Sequence, residues 1–371
     1  MKKLTSFLMA LTMLVSLCVP AHAAGLENFK TSLTYQDGQF TDVPAGAWYE
    51  SALKDCFESG LMNGKTATTF DPKGNLTIAQ AMVMSARLHD IYHGGTGVLP
   101  AAAAGEAWYK PAYTYLFQKS LLGKTDLAYL SSGNYNDPAT REDMAFFFAR
   151  VLPAASYNQI NTVENIPDVD RKKGNGGFIY ELYEQGVLTG SDIYGTYRPN
   201  DNVTRAEAAA IIARVAFPEQ RKTLDLHEKY TVGSTVFAMP VGSETYTEDA
   251  FVEVTHDEKL ADTLVYTDTD PELEGMSILL MTEEDVADML YEIWGEAGVS
   301  KADFDIGVAQ FGSVVAYRAI FAVEGLPCCT YYYISGDTLY SYQVMTADVD
   351  RLITLANSVT VNGAAVSPKL A

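Results

Sequence analysis

Cysteine is scarce in this chain, at four in 371 residues. Cys18 falls in an N-terminal apolar stretch, which leaves Cys56, Cys328 and Cys329, too few for a disulfide framework. No CxxC spacing is present. Histidine is as rare, with five. Basic charge is short too: 26 Lys and Arg face 47 Asp and Glu, a net charge of −21. Such a balance argues against nucleic acid or an anionic membrane surface as partner, since both repel a polyanion. Past the first 23 residues no apolar run approaches the roughly 18 needed to span a bilayer, so no membrane insertion of the mature chain is expected.

That first stretch reads as a secretory signal. Lys2-Lys3, the apolar run 4–19 and Ala21-His22-Ala23 supply the charged, apolar and cleavage regions in order, giving a signal peptide over 1–23. The remaining charge is unevenly divided. Residues 1–221 hold 19 basic and 22 acidic side chains; residues 222–371 hold 7 and 25. A boundary near residue 220 follows, with a nearly neutral first part able to hold a local cationic groove.

The first part is repetitive. Thr204-Arg205-Ala206-Glu207 opens the apolar run 208–215 and reads as a capping box, in which Thr204 and Glu207 each satisfy the other's backbone N–H. Thr140-Arg141-Glu142-Asp143 and Thr77-Ile78-Ala79-Gln80 open equivalent runs, at spacings of 64 and 63 residues. Upstream landmarks keep step. Trp48 matches Trp108, Gly60-Leu61 matches Ser120-Leu121 and Gly186-Val187, Gly64 matches Gly190, and Asp42-Val43 matches Asp168-Val169. Each unit reads as helix, loop, capped helix. A unit of this size buries little alone, so the copies should share a core.

The order Phe40-x-Asp42-Val43, Trp48, Gly60-Leu61, Gly64, Phe70-x-Pro72, then Thr-Arg-Ala-Glu, resembles the S-layer homology (SLH) domain. The resemblance covers residues 38–218 and implies an all-α triplet, with repeats at 38–94, 100–156 and 162–218 packed as a pseudo-threefold helical bundle. It also implies a partner: anionic secondary cell-wall polysaccharide, often pyruvylated, held non-covalently to keep the protein on the cell wall.

Candidate ligand-binding residues follow from both readings. Arg141 and Arg205 stand in the first turn of a helix, where the dipole disfavours a cation. They are either solvated or paired surface residues, or guanidinium forks that join exposed helix N–H groups in holding an anion; we take the second. Repeat 1 carries Ile78 there, so its groove should be weak or structural. Thr140, Thr204 and Glu207 cap the helices beside these arginines. Trp48 and Trp108 are either core residues or sugar-stacking faces, and Gly174 replaces them in repeat 3. Asp42 and Asp168 cap a turn first and reach ligand second. Gly64 and Gly190 serve a backbone conformation or a close approach that a side chain would block. His89 and His93 have metal-ligand spacing but no third ligand, so no metal and no cofactor is expected.

Residues 219–228 read as a charged connector, and 229–363 as an acidic α+β domain with an antiparallel sheet. Strands are expected at 231–239, 250–255, 264–267, 276–281, 306–311, 314–323, 328–335 and 338–344, with helices at 283–297 and 346–358 lying on one sheet face. The element order faintly resembles Mog1/PsbP-type secreted domains. Tyr331, Tyr332, Tyr333, Tyr340 and Tyr342 fit half-buried strand positions. No nucleophile, base or carboxylate pair stands out, so catalysis is not expected. The reading is a secreted, wall-anchored protein displaying a C-terminal domain of unknown partner; the alternatives are a wall-tethered hydrolase and an S-layer lattice subunit.

Overall fold

The computed structural model describes residues 25–123, 126, 135–256 and 261–370. The signal segment 1–23 lies outside them. The chain divides into two compact units, Met1–Leu224 and Asp225–Ala371, each treated by itself below.

Among the described residues the first unit presents the α-helices α1 (Glu50–Glu58), α2 (Ile78–Tyr92), α3 (Lys110–Gln118), α4 (Arg141–Phe148), α5 (Gly176–Glu184) and α6 (Arg205–Ala216). The even-numbered ones are the expected capped helices. Thr77/Gln80, Thr140/Asp143 and Thr204/Glu207 all form reciprocal capping boxes. The first helix of each repeat packs on the capped helix of another: α3 lies on α2, α5 on α4, and α1 on α6, so each repeat leans on its predecessor and the first leans on the last.

Backbone hydrogen bonds follow the same circuit. Leu76 N–H donates to Val203 O, Val203 N–H to Ala139 O and Ala139 N–H to Leu76 O, at 2.8–2.9 Å. These three side chains are fully buried. The first two N–H groups of each capped helix donate to a loop of another repeat: Ile78 and Ala79 to Asp137 O and Tyr135 O, Arg141 and Glu142 to Asp201 O and Pro199 O, Arg205 and Ala206 to Gly74 O and Pro72 O. The threonine oxygen takes the third. Three of the four donors that a helix start leaves unmatched are therefore consumed internally.

The connector is shorter than expected. Gln220 Nε2 donates to Asp55 Oδ2 at 2.8 Å, Arg221 Nη2 to Ser156 O, and Asn161 holds Lys222 O and Leu224 N–H through its amide. Residues 219–224 are thus pinned to the first unit. The extended chain resumes at His227.

The second unit is an antiparallel sheet of eleven strands: β1 (His227–Val232), β2 (Thr235–Pro240), β3 (Glu244–Glu248), β4 (Phe251–His256), β5 (Ala261–Thr269), β6 (Asp305–Phe311), β7 (Val314–Val323), β8 (Leu326–Ser335), β9 (Thr338–Met345), β10 (Thr360–Val361) and β11 (Ala364–Ser367). Their order is β1-β2-β10-β11-β6-β7-β8-β9-β5-β4-β3. Two helices join it, α7 (Glu283–Trp294) and α8 (Val349–Ser358). They do not share a face. Leu352, Leu355 and Ala356 of α8 pack with Tyr331, Tyr333 and Tyr342, whereas Val286 and Leu290 of α7 pack with Tyr332, Phe321 and Cys328 on the opposite side. The expectation of one covered face fails because β7 and β8 are apolar at consecutive positions, which is the mark of strands buried on both sides.

Two further expectations are corrected. The strand expected at 231–239 is a hairpin broken at Gly233, whose φ of 55° favours glycine. The run 276–281 is a 3₁₀ turn at Ile278–Leu280, since Ser277 Oγ accepts the Leu279 N–H and bends the chain locally.

Candidate functional site

Among the described residues of the first unit, two open grooves lie between helices of different repeats. One, of about 490 Å³, is lined by Trp48 from repeat 1, Arg141 from repeat 2, and Thr189, Gly190, Glu207 and Arg214 from repeat 3, with Arg198 and Asp201 at its side. The other, of about 430 Å³, takes Trp108 from repeat 2 and Asn63, Val83 and Arg87 from repeat 1. The two are equivalent. Arg87 and Arg214 both stand ten residues after the capping threonine, and both tryptophans stand just before the neighbouring first helix.

The tryptophans are exposed, at 68% for Trp48 and 53% for Trp108. The core reading of these residues is excluded. Burial lowers the pKa of Arg87 and Arg214 from the ordinary guanidinium value. Arg214 Nη1 donates to Val187 O at 3.2 Å. Arg87 is the sole ionisable side chain lining its groove. A desolvated cation beside an exposed indole suits an anionic, ring-containing ligand. The arginine ten residues into each capped helix is the feature missed in the sequence. The signal was there, since Arg87, Arg150 and Arg214 occupy the same place in all three runs.

At the third equivalent position the arginine is already engaged among the described residues. Arg150 pairs with Asp126 at 3.2 Å and lies over the Phe146 and Phe178 rings at 4.3 and 5.3 Å. Gly174 stands where the tryptophan would be. Its neighbour Asn175 gives both its N–H and its amide to Glu142 Oε1. This is the place that also carries Ile78 instead of arginine.

The first-turn arginines do not wait for a ligand as expected. Arg141 donates through Nε to Tyr197 O at 2.6 Å, through Nη2 to Thr189 O at 3.4 Å and through Nη1 to Glu207 at 3.0 Å, with its guanidinium over the Tyr197 ring. Arg205 repeats the pattern on Phe70 O and Asn63 O, both at 2.8 Å, over the Phe70 ring, and is 8% exposed. Loop carbonyls offset the unfavourable dipole. These arginines clamp one repeat to the next; of the two, Arg141 also lines a groove.

The remaining expected residues fall on either side. Asp42 accepts the Phe70 and Asp71 N–H groups at 2.8 and 2.7 Å, and Asp168 accepts those of Tyr197 and Arg198 at 2.8 and 2.6 Å. Both carboxylates hold loops and neither lines a groove. Thr140 and Thr204 are helix caps, and Glu207 does double duty as cap and ion-pair partner. A Cβ on Gly64 would meet Phe40 and Thr66 O at 2.4 Å; one on Gly190 would meet Gly195 at 2.4 Å. Close approach, not a left-handed backbone, requires glycine at both.

In the second unit both neighbouring thiols are buried, on opposite faces of β8. Burial pushes Cys329 up to about 12 and Cys328 higher still. Neither is a poised thiolate. Among the described residues, no cluster of three or more His, Cys, Asp or Glu side chains is placed to hold a metal, and no helix is long and apolar enough to cross a membrane.

Grooves set between helices of successive units define a module built from helical repeats. The family model of the S-layer homology domain matches residues 39–82 and 165–209, and the chain carries S-layer homology domains. The middle helix pair lies outside both matched stretches. Among curated relatives, an endoglucanase of Bacillus sp. (strain KSM-635) is 25% identical over 57% of this chain and 22% of its own length. A surface-layer 125 kDa protein of Lysinibacillus sphaericus is 27% identical over 36% of this chain and 11% of its own, and an S-layer protein of Bacillus licheniformis 26% over 57% and 22%. The chain thus spans between about a tenth and a quarter of these relatives. A cyanobacterial PsbP from Synechocystis sp. PCC 6803 is 16% identical over 38% of this chain and 94% of that one, with a TM-score of 0.29; a score so low supports no inference.

Proposed function

We propose that the first unit is a triplet of S-layer homology repeats about a pseudo-threefold axis, and that it anchors an exported protein non-covalently to anionic cell-wall polysaccharide. The middle pair counts as the third repeat because its cap and its ring of backbone bonds match the other two and its tryptophan matches that of the first. S-layer homology domains imply cell-wall anchoring of a surface protein, and the surface-layer relatives agree with a place on the cell surface. The observation that carries the reading is the pairing of an exposed tryptophan with a desolvated arginine in two equivalent grooves. A carboxylate-bearing sugar, pyruvylated for instance, would set its anion on Arg214 or Arg87 and its ring on Trp48 or Trp108. The third position, where Arg150 is already paired with Asp126 and stacked on Phe178, is assigned to structure.

For the second unit we infer display or protein binding in place of catalysis. Its thiols are buried, and His227 and His256 lie far from them in sequence. Two deeply buried cysteines and a tyrosine-rich core favour a stable scaffold.

The test is retention of the full secreted chain on purified cell-wall sacculi, before and after acid removes the secondary polymer. Trp48→Ala with Trp108→Ala should abolish polymer-dependent retention while the thermal midpoint stays near wild type, because both rings are exposed. Retention equal to wild type would overturn the groove assignment; retention unaffected by acid would overturn the polymer.

A further inference from the structure

The second unit exposes a short apolar turn that its own fold does not use. Ile278 is buried at 2% and anchors it, while Met276, Leu279 and Leu280 are 45, 49 and 75% exposed. The turn is held rigidly. Met276 N–H donates to Leu273 O, Leu280 N–H to Ser277 O, Met281 N–H to Ile278 O, and the Tyr317 hydroxyl to Met281 O at 2.9 Å. Adjacent leucines fixed outward in water are unfavourable unless something covers them.

Two features beside the turn indicate what covers it. A cleft of about 360 Å³ opens between the turn and the β6–β7 and β8–β9 hairpin ends, walled by Met276, Ile278, Val314, Ile334, Ser313 and Asn362. No ionisable side chain lines it. Carboxylates flank the turn on both sides in the chain, Glu272 and Glu274 before it and Glu283 and Glu284 after it, all exposed. Exposed apolar side chains with exposed carboxylates a few residues away along the chain complement a partner of opposite charge. The same carboxylates disfavour an anionic lipid surface.

We propose that this turn and cleft dock a cationic segment of another protein, one that sets a bulky apolar side chain against Leu279 and Leu280 and lysine or arginine side chains against the flanking carboxylates. Because the turn is already fixed, little ordering opposes association. The surface is separate from the wall-binding grooves, so it gives the anchored protein something to hold.

The probe is a labelled synthetic peptide of alternating lysine and leucine, titrated against the full chain by fluorescence anisotropy. Lysine–serine and glutamate–leucine peptides of equal length are the comparisons. Leu280→Ser should weaken lysine–leucine binding about tenfold, a figure typical of a central apolar contact, and Glu283→Gln with Glu284→Gln should weaken it and flatten its salt dependence. Glu244→Gln with Glu248→Gln, which removes the same charge from β3, should leave it unchanged. The proposal is overturned if the lysine–leucine peptide does not bind, if lysine–serine binds equally, or if the β3 variant loses as much. Leu280-dependent capture by neutral phosphatidylcholine vesicles, without peptide binding, would assign the turn to lipid and overturn it as well. All substituted side chains are exposed, so matching melting curves confirm that the variants fold.

Discussion

Arg141 and Glu207 sit in different repeats, yet Arg141 Nη1 donates to Glu207 Oε1 at 3.0 Å while Glu207 Oε2 accepts the Thr204 N–H and hydroxyl at 2.9 and 2.7 Å. One carboxylate therefore closes the cap of α6 and fixes α4 against it. Repeat 1 has Gln80 in the same role and Arg205 opposite it, without an ion pair.

That difference makes a graded prediction. Glu207→Gln keeps the cap acceptor but removes the charge facing Arg141, and should cost about 1 kcal/mol, the upper worth of a partly exposed ion pair. Glu207→Ala removes the cap and leaves the Arg141 guanidinium uncompensated. Because the Glu207 side chain is 32% exposed, the cost should be about 3 kcal/mol, at the low end for breaking a buried pair. Urea unfolding of both variants, followed by circular dichroism, measures it. Equal costs for Gln and Ala would mean that the cap contributes little.

Arg205→Met is expected to destabilise the first unit without touching a groove. It strands the carbonyls of Phe70 and Asn63, each accepting at 2.8 Å. Hydrogen bonds to a charged donor are worth about 1.5–3 kcal/mol, so a loss of roughly 3 kcal/mol is expected with retention on sacculi unchanged below the melting transition. Lost retention in a folded variant would return Arg205 to the binding surface.

How far the sequence carried can be seen at these positions. The capping boxes were legible because Thr-x-x-Glu, Thr-x-x-Asp and Thr-x-x-Gln name both partners within one turn. The fate of Arg141 and Arg205 was not, since Thr189 O and Asn63 O reach them across repeats and a carbonyl leaves no trace in residue identity. Likewise Trp48 opens an amphipathic helix in either reading; its exposure depends on a helix from the far end of the repeat array. In the second unit the strands followed from alternation, but the run 276–281 is as apolar as a strand and lacks a neighbour to pair with. The double burial of β8 was readable in Cys328-Cys329 and Tyr331-Tyr332-Tyr333, where consecutive apolar residues point to opposite faces.

Ser120 offers a stabilising change. It follows α3 with φ 59°, where Gly60 and Gly186 follow α1 and α5 with φ 72° and 70°. All three close the helix alike: the next residue's N–H, on Leu121, Leu61 or Val187, donates to Leu116 O, Cys56 O or Leu182 O. The left-handed backbone costs serine about 1 kcal/mol that glycine does not incur. Ser120→Gly should therefore raise the thermal midpoint by a few degrees, against the usual expectation for a glycine substitution. A lowered midpoint would show that Ser120 makes a compensating contact.

His89 sets a pH limit on the packing of α2 against α3. Its Nδ1 shares a hydrogen bond with the Tyr115 hydroxyl at 3.0 Å, and the His93 ring lies 4.3 Å away. Burial first, then the charges of His93 and Lys119, lowers its pKa from 6.5 to about 4, with Asp90 opposing. A lowered histidine pKa means that the unfolded chain takes up a proton before the folded one does. Stability is full above 6.5, falls as pH drops from 6.5 towards 4, and levels below the folded value. His89→Gln keeps a hydrogen-bonding partner for Tyr115 and removes the titration. Its unfolding free energy should change less between pH 7 and pH 4.5 than that of wild type, as measured by urea midpoints across that range. An identical slope for the two proteins would place the histidine proton outside the folding equilibrium.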